Sequence, residues 1–416
     1  MRGQSRASRV KGRSLGIAVV VVALFVSPFA GALSDAQTTS ALRVEVSGPP
    51  QRVYGSDGRE HIEYDLIITD AFTAGATLGS LEVRGDGRLL MSLSAAALGA
   101  TTLRIGTFAP TRGRIEQGAT VVALVDVTLP RSVGRTVPGV LTNQISYAIP
   151  ADAPLRPVIE TTTVDVPPVR ADRRAPVVIA APLRGTGWLN ANGCCDDPTA
   201  PHRHTVLATS SGGYITPETF AIDWIRVVDG LLFTGDGSKN SDWPTFGSPL
   251  YAVANGTVVS VVDNKPDIPP SSHNPDLKTP RDFGGNSVFL RLGPHLYACY
   301  AHMKSGSVLV RPGERVRVGQ QIGLVGNSGN TTGPHLHFGI QREPDCLSEN
   351  EPFEIDRYTL DGTVDQATTT LPRVGVIGPV RPEDRSYPLI ESVTTFFAPD
   401  VPGRGMGADH APTTHG

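Results

Sequence analysis

The sequence predicts an all-β chain: an immunoglobulin-like β-sandwich followed by a second domain built on an antiparallel β-sheet. Three observations carry that expectation. Glycine (45) and proline (35) are abundant in the 416 residues, and few stretches have helical periodicity. Apolar residues instead alternate in short runs, which is the pattern of half-buried strands. The length exceeds one ordinary domain and suits two with appendages.

From the N-terminus, Arg2, Arg6, Arg9, Lys11 and Arg13 precede an uncharged run from Leu15 to Val26, and Ala30-Gly31-Ala32 follows. A basic region, a short apolar core and an A-x-A site read as a secretory signal peptide over 1–32. The run is too short to cross about 30 Å of hydrocarbon as a helix, and Pro28 interrupts it, so no stable membrane insertion is expected after cleavage. Export implies a periplasmic or extracellular location.

Residues 39–166 carry alternating runs such as Leu42-Arg-Val-Glu-Val, Ile62-Glu-Tyr-Asp-Leu-Ile-Ile and Val121-Val-Ala-Leu-Val-Asp-Val-Thr-Leu, spaced by turns as in a sandwich. The segment holds one histidine, His61, and no cysteine, and it offers no chemistry. Pro167 to Pro176, proline-rich and charged, places a linker at 167–178. A second domain over 179–375 is expected to use strands at Leu250–Val262, Asn286–Leu292, Leu296–His302, Gln320–Val325 and His335–Ile340. Asp263 to Asp282 reads as a surface loop, 376–402 as a C-terminal extension and 403–416 as a disordered tail.

A formal charge of −3 provides no basic field, so nucleic acid is not an expected partner. All four cysteines, Cys194, Cys195, Cys299 and Cys346, fall in the second domain, and export permits disulfides. Adjacent cysteines are poorly placed to bond each other, so the expected bridge joins Cys194 or Cys195 to Cys299 or Cys346. A thiolate metal site with His202 and His204 is the rival, although no spacing matches a zinc knuckle.

The most informative segment is Gly326 to Ile340, GNSGNTTGPHLHFGI. On an extended strand His335 and His337 share one face and Leu336 takes the other. The turn-forming residues before them open that strand directly after a tight loop, where a site belongs. This segment resembles the second metal motif of the lysostaphin/LytM-type zinc endopeptidases, which cut peptide cross-links in bacterial cell walls. The resemblance extends over about 180–375, through Gly247 to Gly256, Gly284-Gly285-Asn286, Tyr300-Ala301-His302 and Pro312-Gly313-Glu314 to Gly323.

The resemblance implies a LytM-like antiparallel β-sheet catalytic domain that binds Zn2+ through two histidines and an aspartate. It makes His337 one ligand and Asp223, in Phe220-Ala-Ile-Asp-Trp224, another. The family's first motif is H-x-x-x-D, and here Thr219 stands where its histidine belongs. Upstream, Asn192-Gly-Cys-Cys195 and His202-Arg203 resemble a branch of the family that carries N-G-C-C and H-R ahead of F-A-I-D. That likeness offers His202 as the third ligand, with His204 as the fallback. His302 and His335 then remain for catalysis, one as general base and both as donors to the developing oxyanion. His273 and His295 lack a motif and are expected to be structural or solvated.

Two functions remain in view from the sequence. One is a secreted zinc metalloendopeptidase acting on peptidoglycan peptide or another short peptide. The other is a metal-free LytM-like module that binds the cell wall or regulates another hydrolase, a reading kept alive by Thr219.

Overall fold

The computed structural model describes residues 38–107, 109–130, 137–195, 200–272 and 277–399. The signal-peptide, tail and His273 expectations lie outside these residues. The described residues from 39 onward form one compact unit whose regular structure is nearly all β-strand, mostly antiparallel.

Its first part is a pair of five-stranded sheets. One runs in the order Leu42–Val46, Arg59–Asp70, Thr120–Pro130, Thr102–Arg104, with Gln51–Tyr54 also paired to Arg59–Asp70. The other runs Thr163–Arg170, Val140–Ala148, Ala76–Gly85, Arg88–Leu93, with Arg114–Ile115 on Ala76–Gly85. Ile62, Leu66 and Val125 of the first sheet share one core with Leu78, Val83 and Ile145 of the second, which makes the pair a sandwich.

The Arg59–Asp70 strand departs from the usual alternation of buried and solvated positions. Ile62, Tyr64, Leu66 and Ile68 enter the sandwich core, and His61, Glu63, Asp65 and Ile67 on the opposite face are buried as well. That second face packs on the rest of the chain. Ile67, for example, joins Val206 and Tyr214 in a small apolar cluster.

The second part is a 13-stranded sheet whose central strands are Gly185–Asn192, Ile222–Arg226, Leu336–Gln341, Leu296–Met303 and Asn286–Gly293, in that spatial order. Trp188, Trp224, Phe338, Tyr300 and Phe353 fill its core, together with Val53 from the sandwich side. The expected Leu250–Val262 strand is divided: Pro249–Tyr251 pairs with Gln321–Leu324 in a separate sheet, while Gly256–Val262 joins the large one.

Both flanking segments belong to sheets. The stretch read as a linker is strand as far as Arg170, and Val177–Ile179 pairs in parallel with Phe353–Val364. The segment read as an extension supplies Ser392–Phe396, which lies between Phe353–Val364 and Gly185–Asn192 inside the large sheet.

The cysteine pairing also differs from expectation. Cys194 bonds Cys195 and Cys299 bonds Cys346. The Cys194–Cys195 peptide is cis, and its Cα atoms are 3.0 Å apart. With both sulfurs engaged in a disulfide, the thiolate metal site has no thiolate to offer.

Candidate metal centre

Strand register assembles the centre. Asp223 on Ile222–Arg226 lies directly opposite His337 on Leu336–Gln341, and His337 in turn lies opposite Ala301, one residue before His302. Leu336 is fully buried in the core, so its neighbours His335 and His337 share the other face.

Three imidazoles surround the Asp223 carboxylate. Nε2 of His202 is 3.2 Å from Oδ2, and Nδ1 of His337 and Nε2 of His335 are 3.0 and 3.4 Å from Oδ1. His202 comes from a short turn, Pro201–His204, and takes the place beside Asp223. His204 is buried two residues further along that turn. His302 lies across from the H-x-H pair, its ring centroid 4.6 Å from His335 and 5.8 Å from His337. The five residues singled out in the sequence therefore converge, while His295 sits at the surface beside Glu343.

Hydrogen bonds set the ring tautomers. His202 Nδ1 donates to the Ala221 carbonyl at 2.9 Å, His302 Nδ1 to the Ser328 carbonyl at 2.7 Å and His335 Nδ1 to the Gly333 carbonyl at 2.8 Å. In the neutral form of each ring Nε2 is then the lone-pair nitrogen, and those of His202 and His335 lie beside Asp223. The Ser328 carbonyl reaches His302 because the loop packs on Gly285, where an added Cβ would meet Ser328 backbone at 2.4 Å. His302 itself has φ of 58°, an uncommon conformation for a residue with a side chain.

Two residues the sequence reading missed complete the arrangement. Asn192 donates to Asp223 Oδ2 at 3.0 Å and accepts from the His202 backbone amide at 3.1 Å, which ties the two strands and the turn together. Its signal lay in the N-G-C-C motif itself. Buried Glu218, the residue before Thr219, places a carboxylate oxygen 3.9 Å from His337 Nε2, a buried nitrogen without a hydrogen-bond partner.

The electrostatics follow from this crowding. Burial opposes charge on His202, but Asp223 and Glu218 prevail and raise its pKa to about 9. Burial likewise works against an ionised Asp223, yet His202 and His335 hold it well below the usual carboxylate range. His335 is raised against its own burial, chiefly by Asp223. His302 goes the other way: burial, then the His335 and His337 charges, lower it well below an ordinary imidazole.

The donors fit zinc. Two imidazole nitrogens and a carboxylate are a catalytic zinc set, and ligands about 2.1 Å from one ion at tetrahedral angles lie roughly 3.4 Å apart. His337 Nδ1 is 3.0 Å from Asp223 Oδ1 and His202 Nε2 is 3.2 Å from Oδ2, each separation of that size but to a different carboxylate oxygen.

Residues 240–349 match the model of peptidase family M23. The chain carries a peptidase family M23 domain. The matched interval of this M23 domain contains His302, His335 and His337, whereas His202 and Asp223 lie before it. Among its relatives, the peptidoglycan DD-endopeptidase ShyC of Vibrio cholerae serotype O1 is 35% identical over 103 residues, 24% of this chain and 19% of the relative. ShyA of the same organism, also a peptidoglycan DD-endopeptidase, is 35% identical over 94 residues, 23% of this chain and 17% of the relative. The similarity thus spans about a fifth of each relative's length. Among solved structures, the catalytic domain of lysostaphin from Staphylococcus simulans aligns with 41% of this chain and 88% of its own, at 18% identity and a TM-score of 0.21.

Proposed function

We propose that this chain is an exported zinc metalloendopeptidase that hydrolyses peptide bonds in peptidoglycan cross-links or stems. The observation that carries the reading is that His202 and His337 each lie within 3.2 Å of an Asp223 carboxylate oxygen, with His302 and His335 beside them. The naming of its M23 relatives as peptidoglycan DD-endopeptidases supports the substrate class. Among the described residues no helix is long and apolar enough to cross a membrane.

His202, Asp223 and His337 would hold the ion. Zinc supplies Lewis-acid chemistry there, polarising an amide carbonyl and making water a stronger nucleophile near neutral pH. With their Nδ1 hydrogens committed to the Ser328 and Gly333 carbonyls, His302 and His335 present Nε2 to the reacting groups. One accepts the proton of the attacking water as its oxygen bonds the carbonyl carbon, then returns it to the amide nitrogen as the C–N bond breaks. The other, once protonated at Nε2, donates toward the oxyanion.

The alternative, a metal-free wall-binding or regulatory module, was motivated by Thr219. His202 beside Asp223 supplies the third donor without residue 219, which favours the enzyme. Elemental mass spectrometry of the purified chain is expected to find about one zinc per chain. His204→Ala should keep it, while His202→Ala and His337→Ala should lose it. Purified peptidoglycan treated with the loaded protein should release fragments with new peptide termini. Zinc-bound protein that leaves wall peptides intact would move the reading to the binding module.

A further inference from the structure

Arg203 follows His202 in the Pro201–His204 turn, and its side chain is completely enclosed, at 0% exposure. A guanidinium taken out of water must be matched by buried acceptors. Its acceptors come from the sandwich: Nη2 lies 2.8 Å from Glu63 and 3.2 Å from Asp65, both on the inward face of the Arg59–Asp70 strand. Nη1 donates to Thr219 Oγ1 at 3.1 Å.

These contacts bear on how His202 is held. A ligand at position 219 would be placed by its fixed spacing to Asp223, but His202 rides on a single 3-10 turn without sheet pairing. The Asn192 and Ala221 hydrogen bonds orient its backbone amide and its ring. The turn itself is pinned by the next residue, whose fork bridges two carboxylates of one domain and the hydroxyl that stands in the missing ligand's place.

We propose that the sandwich is a working part of the metal centre: Glu63 and Asp65 anchor Arg203, and through it they set the position of His202. Arg203, Glu63 and Asp65 are positioning residues. The inference rests on reading His202, Asp223 and His337 as zinc ligands.

The test uses the full chain. Removing one member strands a buried charge, so the informative variant combines Arg203→Met with Glu63→Gln and Asp65→Asn, which leaves none of the three ionised. Zinc affinity is measured by competition with a chromogenic chelator, and the ligand set is read from the visible absorption of the Co2+-loaded protein. Circular dichroism identifies the temperature range in which each variant is folded. Ile145→Ala, a substitution in the sandwich core away from Arg203, controls for lost stability. The triple variant is expected to bind zinc roughly 10- to 100-fold more weakly, with altered Co2+ bands, and the control should change neither. A folded triple variant with wild-type affinity and bands overturns the inference while leaving the ligand reading intact. A wild-type chain that binds no zinc overturns both. Should the triple variant not fold, Arg203→Lys keeps the charge without the fork and is expected to weaken zinc about three- to tenfold; unchanged affinity there overturns the inference equally.

Discussion

His302 and His335 share a tautomer and a neighbourhood but not a charge preference. His302 is pushed toward the neutral imidazole by burial and by the other histidines, whereas Asp223 draws a proton onto His335. Neither is among the proposed zinc ligands. Replacing either with Ala is therefore expected to leave zinc content unchanged and to lower turnover on peptidoglycan by about 10²- to 10⁴-fold. Loss of zinc along with activity would instead make that histidine a ligand. Much of this was legible at the residue scale, because an H-x-H on a strand puts two imidazoles on one face whatever surrounds it. His202 was not legible in that way. No spacing rule links a turn to Asp223, twenty-one residues later, and only family likeness pointed to it. Asn192, which joins the two, stood in the sequence only as part of the N-G-C-C likeness and, carrying no charge, was assigned no role.

At the scale of elements, the Arg59–Asp70 strand is where the sequence misled most. Charged residues at 61, 63 and 65 between apolar ones read as the solvent face of a half-buried strand. That face is instead buried against Arg203, and its charges pair there. His61 lies between Asp126, 2.8 Å from Nδ1, and Asp57, 3.2 Å from Nε2. Glu63, whose own pKa burial and Asp126 push upward, is on the same face. Burial opposes protonation of His61, but the two aspartates raise its pKa from 6.5 to about 9. A pKa raised by folding means that the native state holds the proton more tightly. The contribution is full below about pH 6.5 and is lost as pH rises through about 9. His61→Gln is thus expected to lower stability by about 2 to 3 kcal/mol at pH 6, and by progressively less toward pH 9.5. Urea denaturation across that range reads the difference; a constant gap between variant and wild type would show that the ring's packing matters and its charge does not.

For the molecule as a whole, the expected division into sandwich, linker and peptidase domain understates how the parts are joined. The two cores were legible as two sets of alternating runs, since each fills its own interior. The joint was not, because it is made of groups that look solvated in sequence. Val53 from the sandwich side enters the peptidase core, the Tyr387 amide donates to the Tyr54 carbonyl at 2.7 Å, and Ser56 meets Ser392 at 3.0 Å. Parting the two would also expose Val53, Ile67 and Val206, and fully burying one such side chain is worth about 1.5 to 3 kcal/mol. Against a domain stability on the order of 5 to 15 kcal/mol, that is enough to make separate unfolding of either part unfavourable. The three tryptophans, Trp188, Trp224 and Trp243, all lie outside the sandwich, so their fluorescence follows the peptidase part, whereas far-ultraviolet circular dichroism follows both. Equilibrium unfolding of the zinc-free chain in urea is expected to give one transition with the same midpoint by both probes. Dichroism that falls first, while fluorescence stays native, would mean that the sandwich melts alone. His202 would then have to be held in place without it.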